Sequence, residues 1–143
     1  MLFYSLLACV CASLSVDDLT GSWVLLKAMD GMKEVDLPTI PTLEFRKAPN
    51  NAVEVRSRVV NSIRTTLKVH GEEARSKIQF RGGDVMSTRK SGSPDLMAEE
   101  YFLIGVLENL DYIMGRGERL VMLARNQRLY IEKEEKLQSP YRG

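Results

Sequence analysis

The chain has 143 residues, 44% of them hydrophobic, with 20 basic and 19 acidic side chains, one histidine, one tryptophan and two cysteines. That length holds one domain around one core. A formal net charge of +1 excludes a general nucleic-acid binder, which needs a large basic excess, and a single histidine leaves little for triad chemistry.

Met1 to Ser15 is an uncharged apolar run closed by small residues and followed by Asp17-Asp18. Such a segment reads as a secretory signal peptide. Leu2 to Leu14 is shorter than the roughly 20 apolar residues that span a bilayer. Two cleavage points fit: after Ala12, with Val10 third from the cut, or after Ser15, with Ser13 and Ser15 as the small pair. Leu6-Leu7-Ala8-Cys9 is a rough lipobox, so lipid attachment at Cys9 is the alternative by which the chain would sit on a membrane. Both cysteines, Cys9 and Cys11, lie in this segment. The mature protein, secreted or in the secretory pathway, would then have no disulfide and must rely on its apolar core.

Short strands follow. Ser22 to Ala28 is an apolar run too short for a typical helix, and Asp30-Gly31 marks a turn. Pro38 and Pro41 punctuate a loop before Leu43-x-Phe45. After Pro49-Asn50-Asn51, Val53, Val55, Ser57 and Val59 alternate with Glu54, Arg56 and Arg58. Beyond Asn61, Ile63, Thr65, Leu67 and Val69 alternate with Arg64, Thr66 and Lys68. Period two with one polar face predicts antiparallel strands buried on one side. Ile78-x-Phe80 makes another, ended by Gly82-Gly83.

The period then changes. Ser93 suits a helix cap, Pro94 the first turn, and Asp95 the positive end of the dipole. A helix from about Pro94 to Asn109 places Leu96, Met97, Leu103, Ile104, Val106, Leu107 and Leu110 on one face. Glu100 falls in the middle of it. Three strands close the domain: 111–114, 119–124 and 127–132, joined through Gly115-Arg116-Gly117 and a tight Arg125-Asn126 hairpin. The remainder, 134–143, has little to bury and reads as a flexible tail. The expected fold is α+β: a strongly bent antiparallel sheet or partial β-barrel of about eight strands, with one helix before the last three.

Several segments in this order resemble one family. They are Leu19-Thr20-Gly21-Ser22-Trp23, Pro41-Thr42-Leu43-Glu44-Phe45, Asn61-Ser62, Gly83 to Met86 followed by Ser87-Thr88-Arg89, and the helix with Glu100, Leu103 and Leu107. With the closing hairpin at 120–123 and 129–131, the chain is similar to the META/HslJ-like domain over about Leu19 to Glu132. Val59-Val60 stands where the family has Gly-Cys, and no cysteine follows Ser87-Thr88, so a family cysteine pairing has no counterpart here. The resemblance implies a domain at 16–133 that is exported and non-enzymatic, acting at the cell envelope or host interface within a virulence-associated family. It brings no catalytic residues and no cofactor.

Individual residues weigh the same way. Gly21-x-Trp23 also opens lipocalin and avidin-like barrels, where a Trp plugs the closed end against an Arg of the last strands; Arg125 or Arg128 would serve. Trp23 is expected in the core and Asn61 at a strand or turn. His70 lies in a turn with Glu72 and Glu73, a poor metal site. Gly82-Gly83-Asp84 lacks the features of a phosphate loop. Glu100, a carboxylate on an apolar face, requires a partner, and Arg89 or Arg64 is the expected one. Arg56, Arg58, Arg64 and Lys68 form a basic strip on outward strand faces, expected to be a solvated sheet face with acidic neighbours; an anionic partner or lipid headgroups are the alternative. The expected function is binding without chemistry, with neither metal nor cofactor, toward an unidentified protein; a calycin-like carrier of a small apolar ligand is the alternative.

Overall fold

The computed structural model describes residues 14–70 and 76–134. A short helix α1 (Val16–Leu19) leads into β1 (Gly21–Asp30), β2 (Lys33–Val35), β3 (Thr42–Ala48), β4 (Ala52–Arg58), β5 (Ser62–Val69), β6 (Lys77–Arg81) and β7 (Met86–Ser87). Helix α2 (Pro94–Glu108) then precedes β8 (Tyr112–Arg116), β9 (Arg119–Ala124) and β10 (Gln127–Lys133).

These strands form one sheet in the order β10-β9-β8-β6-β5-β4-β3-β1-β2, with β7 on β5 and a further pairing of β10 with β1. That last pairing closes an eight-stranded antiparallel barrel; β2 and β7 lie outside it. It runs from Trp23 opposite Lys133 to Asp30 opposite Gln127, with an irregularity between Leu25 and Lys27. Closure removes the exposed edges that an open bent sheet would leave. The sequence reading missed β2 and β7, because neither is long enough to show alternation.

Alternating strands fill the barrel from within. Leu43 and Phe45 of β3, Val53 and Val55 of β4, and Ile63, Thr65 and Leu67 of β5 are buried, as are Ile78, Ile113, Met122, Leu129 and Ile131. The apolar members make a single cluster with Trp23 and with Leu103, Val106 and Leu107 of α2. Two asparagines in left-handed conformation, Asn50 (φ 63°) and Asn51 (φ 55°), turn β3 into β4. Asparagine tolerates that region better than most residues. Between β8 and β9 the strand continues through Arg116, so the turn falls one step later than the Gly115-Arg116-Gly117 link predicted.

Helix α2 begins as its cap residues dictate: the Ser93 hydroxyl accepts from the Leu96 N–H at 3.4 Å, and Pro94 opens the first turn. Its buried residues include Glu99 and Glu100 beside Leu103, Val106 and Leu107. Leu96, Met97 and Ile104, expected on the same face, are only half buried. After β6 the chain passes so close to the helix end that a Cβ on Gly82 would come within 2.5 Å of the Glu108 carbonyl oxygen. The helix thus lies over the barrel end formed by the 59–61 turn, the 36–41 loop and the start of β8.

The opposite end is closed by the chain's own beginning. Leu14, Val16 and Leu19 belong to the core cluster, and Ser15 and Asp18 form a capping box around α1. Residues 1–13 of the expected signal peptide lie outside the described residues, as do 135–143 of the expected tail. Leu14 and Ser15, assigned to the leader in one of the two cleavage alternatives, are part of the folded domain.

Candidate functional site

Trp23 is fully buried at the α1 end of the barrel. Its indole Nε1 donates to the Leu19 carbonyl at 2.8 Å. The cation over its ring is Lys133, 5.1 Å from the centroid, and not Arg125 or Arg128. Register explains the difference: Lys133 lies opposite Trp23 on β10, whereas Arg128 pairs with Met29 six residues along β1 and Arg125 sits in the distant β9–β10 turn. The Lys133 ammonium also donates to the Thr20 carbonyl at 2.7 Å. A Cβ on Gly21 (φ +122°) would lie 2.9 Å from that ammonium, so the Gly-x-Trp spacing here makes room for a lysine clamp.

Glu100 is buried, but its partners are neither Arg64 nor Arg89. Its Oε1 accepts from the backbone N–H groups of Val60 (3.0 Å) and Asn61 (2.7 Å), and its Oε2 from the Asn61 side-chain amide (2.7 Å). Asn61 Oδ1 in turn accepts from the Lys90 N–H and the Thr88 hydroxyl. Arg64 instead lies 3.9 Å from Glu54, and Arg89 is exposed. The tight turn after β4 presents N–H donors directly to the carboxylate. A buried charge can be satisfied by such donors without desolvating a guanidinium as well. This network ties α2 to the β4–β5 turn and to the irregular segment after β7.

Glu99, which the sequence reading did not single out, makes a second tie. Its carboxylate accepts from the Thr39 hydroxyl at 3.0 Å and from the Thr39 N–H at 3.3 Å. The clue was its spacing: Glu99, Leu103 and Val106 stand at i, i+4 and i+7 on one helix face.

These ties shape the surface outside the barrel. Thr39 is held by Glu99, and the buried Pro41 accepts from the Leu25 N–H at 3.0 Å. Between them Ile40 adopts φ 49° with its side chain 59% exposed. A β-branched residue in the left-handed region is strained by about 1–3 kcal/mol, and such strain collects at functional sites. Ile40 forms one wall of a groove of about 920 Å³ whose lining includes Arg56, Arg58 and Arg64 and, on the far side, Met86 and Thr88. Three of the four residues of the expected basic strip are thereby brought together; Lys68 lies farther along β5 and outside the groove. A smaller groove, about 440 Å³, lies over β8–β10 and is lined by Met114, Val121, Leu123 and Tyr130 among others.

The lining offers guanidinium and hydroxyl donors, the Glu44 carboxylate and a few apolar walls. Among the described residues no group of three or more His, Cys, Asp or Glu is gathered in one place. His70 is exposed, with its backbone N–H donating to the Gln79 carbonyl; the neighbouring Glu72 and Glu73 lie outside the described residues.

A family model described as META domain matches residues 17–136. Among solved structures, the fold is similar to an NMR structure of a protein from Burkholderia xenovorans, with TM-score 0.58 and 15% identity, covering 85% of this chain and 87% of that one. At that identity the likeness speaks for the fold alone. No curated protein sequence matches the chain.

Proposed function

The chain belongs to the META domain family, and from that premise we propose that it is an exported, non-enzymatic interaction domain working through the outside of its barrel. The observation that carries this reading is where space is found. The inward-facing side chains form one packed apolar cluster, while the larger groove lies on the outer surface of β3, β4, β5 and β7 and is lined by arginines and hydroxyls. A carrier of apolar ligands instead needs its apolar space enclosed, because small-molecule sites bury most of the ligand.

Photo-crosslinking in the native host tests this. A photoreactive residue at Thr42, in the groove, is expected to capture a partner, and one at Asn126, in the β9–β10 turn, is not. Capture from Asn126 alone, or from neither position, contradicts the reading.

Export supplies a second expectation. Leu14 is buried in the core and Ser15 caps α1, so cleavage after Ser15 would remove both. We therefore assign cleavage after Ala12. Intact mass of protein recovered from the medium is expected to match a chain beginning at Ser13. A chain beginning at Val16, or retention of the full chain in the cytosol, contradicts the assignment.

A further inference from the structure

We propose that the outer groove docks an extended acidic segment of a partner polypeptide, its carboxylates on Arg56, Arg58 and Arg64 and an apolar side chain against Ile40. This rests on the interaction-domain reading and names the partner that the groove fits.

Strand register places the charges. One row of outward residues crosses five strands: Ser22 faces Glu44, Glu44 faces Arg56, Arg56 faces Arg64, and Arg64 faces Met86. Arg56 and Arg64 are therefore direct cross-strand neighbours, a like-charge pairing that disfavours the folded sheet. Within the protein they share one carboxylate, Glu54, at 3.4 and 3.9 Å. The acid that lines the groove itself, Glu44, is engaged by Arg46 at 3.3 Å. Arg58 makes no ion pair among the described residues. Folding leaves positive charge in this groove that the fold itself does not use. Guanidinium forks match carboxylates in bidentate geometry.

Shape selects a chain over other anionic partners. At the usual strand spacing the row spans roughly 19 Å, the length of about six extended residues. The arginines line a concavity walled by Ile40 on one side and Met86 on the other, which an inserted segment enters and a flat bilayer surface does not. Hydroxyls of Thr42 and Ser62 line the same space and suit the partner's peptide groups. Ile40, held in its strained conformation by the Thr39 and Pro41 anchors, is displayed before any partner arrives.

The test is selection of random octapeptides displayed on phage against the mature protein, followed by affinity measurement with the synthetic consensus. Enrichment in Asp and Glu is expected, with binding that weakens as salt rises. Arg58→Glu is expected to weaken the consensus at least tenfold without lowering the Tm, since no internal partner is lost. Arg119→Glu, at an exposed position of β9 outside the groove, is expected to leave binding unchanged. Ile40→Gly is expected to weaken binding while holding or raising the Tm, because glycine accepts the left-handed conformation. Peptides without acidic enrichment, no selected peptides at all, or indifference to Arg58→Glu would overturn the proposal. Vesicles containing phosphatidylglycerol and inorganic phosphate are tested in parallel. Arg58-dependent binding of either, without acidic peptides, also overturns it, yet leaves the groove as the working surface; crosslinking from Thr42 reports on that separately.

Discussion

Replacing Glu100 with alanine is expected to destabilise the domain by about 3–5 kcal/mol, the scale of a broken buried polar network. The substitution strips an acceptor from three donors at once: the N–H groups of Val60 and Asn61 and the Asn61 side-chain amide. The two Asn61 donors are buried and the Val60 N–H partly so, and each unmet donor carries its own desolvation cost. The damage spreads, because Asn61 also holds Lys90 and Thr88 through its carbonyl oxygen. Thermal unfolding followed by circular dichroism should show a Tm lower by on the order of 10–20 °C. Glu100→Gln is expected to fall between wild type and Glu100→Ala: one oxygen still serves the backbone donors, but its amide nitrogen meets the Asn61 amide as donor against donor. A wild-type melting curve for Glu100→Ala would falsify the network as a source of stability.

The second large effect is expected at the other end of the barrel. Trp23→Ala should cost about 3–5 kcal/mol, the usual range for truncating a buried large aromatic. Beyond the lost apolar area, the Leu19 carbonyl loses its 2.8 Å donor and the Lys133 ammonium loses the ring beneath it. Segment 14–19 depends on that contact, so urea unfolding should show the loss together with faster amide exchange at Val16 and Leu19. Trp23→Phe keeps most of the volume but not the indole donor, and a smaller loss is expected. Amide exchange in α1 that stays unchanged in Trp23→Ala contradicts the view that the indole anchors this plug.

Much of the fold was legible because alternation is a local signal. β4 and β5 read directly from Val53 to Val69, and α2 from Ser93, Pro94 and the helical spacing of Leu103, Val106 and Leu107. Closure was less legible, since β10 meeting β1 is a pairing between chain ends that no window of sequence contains. Side-chain partners were hardest. The burial expected for Glu100 follows from its helical phase, but its donors are backbone groups of a turn whose approach depends on the whole barrel. A charged residue invites a search for a charged partner, and the sequence holds no mark for an N–H group. Lys133 over Trp23 was hidden for a similar reason: only the β1–β10 register singles it out from Arg125 and Arg128. The groove was half visible. The outward arginines of β4 and β5 follow from alternation, whereas the wall that Ile40 provides depends on Glu99 reaching Thr39 across 60 residues.

Central to the proposed function is a barrel that works from its outside, with an interior filled by side chains. Methyl and amide NMR of the isotope-labelled chain from Ser13 onward, titrated with dodecanoate and separately with an acidic octapeptide, tests that directly. The expected result is shifts at Arg56, Arg58, Arg64 and Ile40 with the peptide, and unmoved interior methyls of Val53, Leu67 and Met122 with dodecanoate. Saturable shifts of those interior methyls on adding dodecanoate would contradict the account and make the protein a carrier.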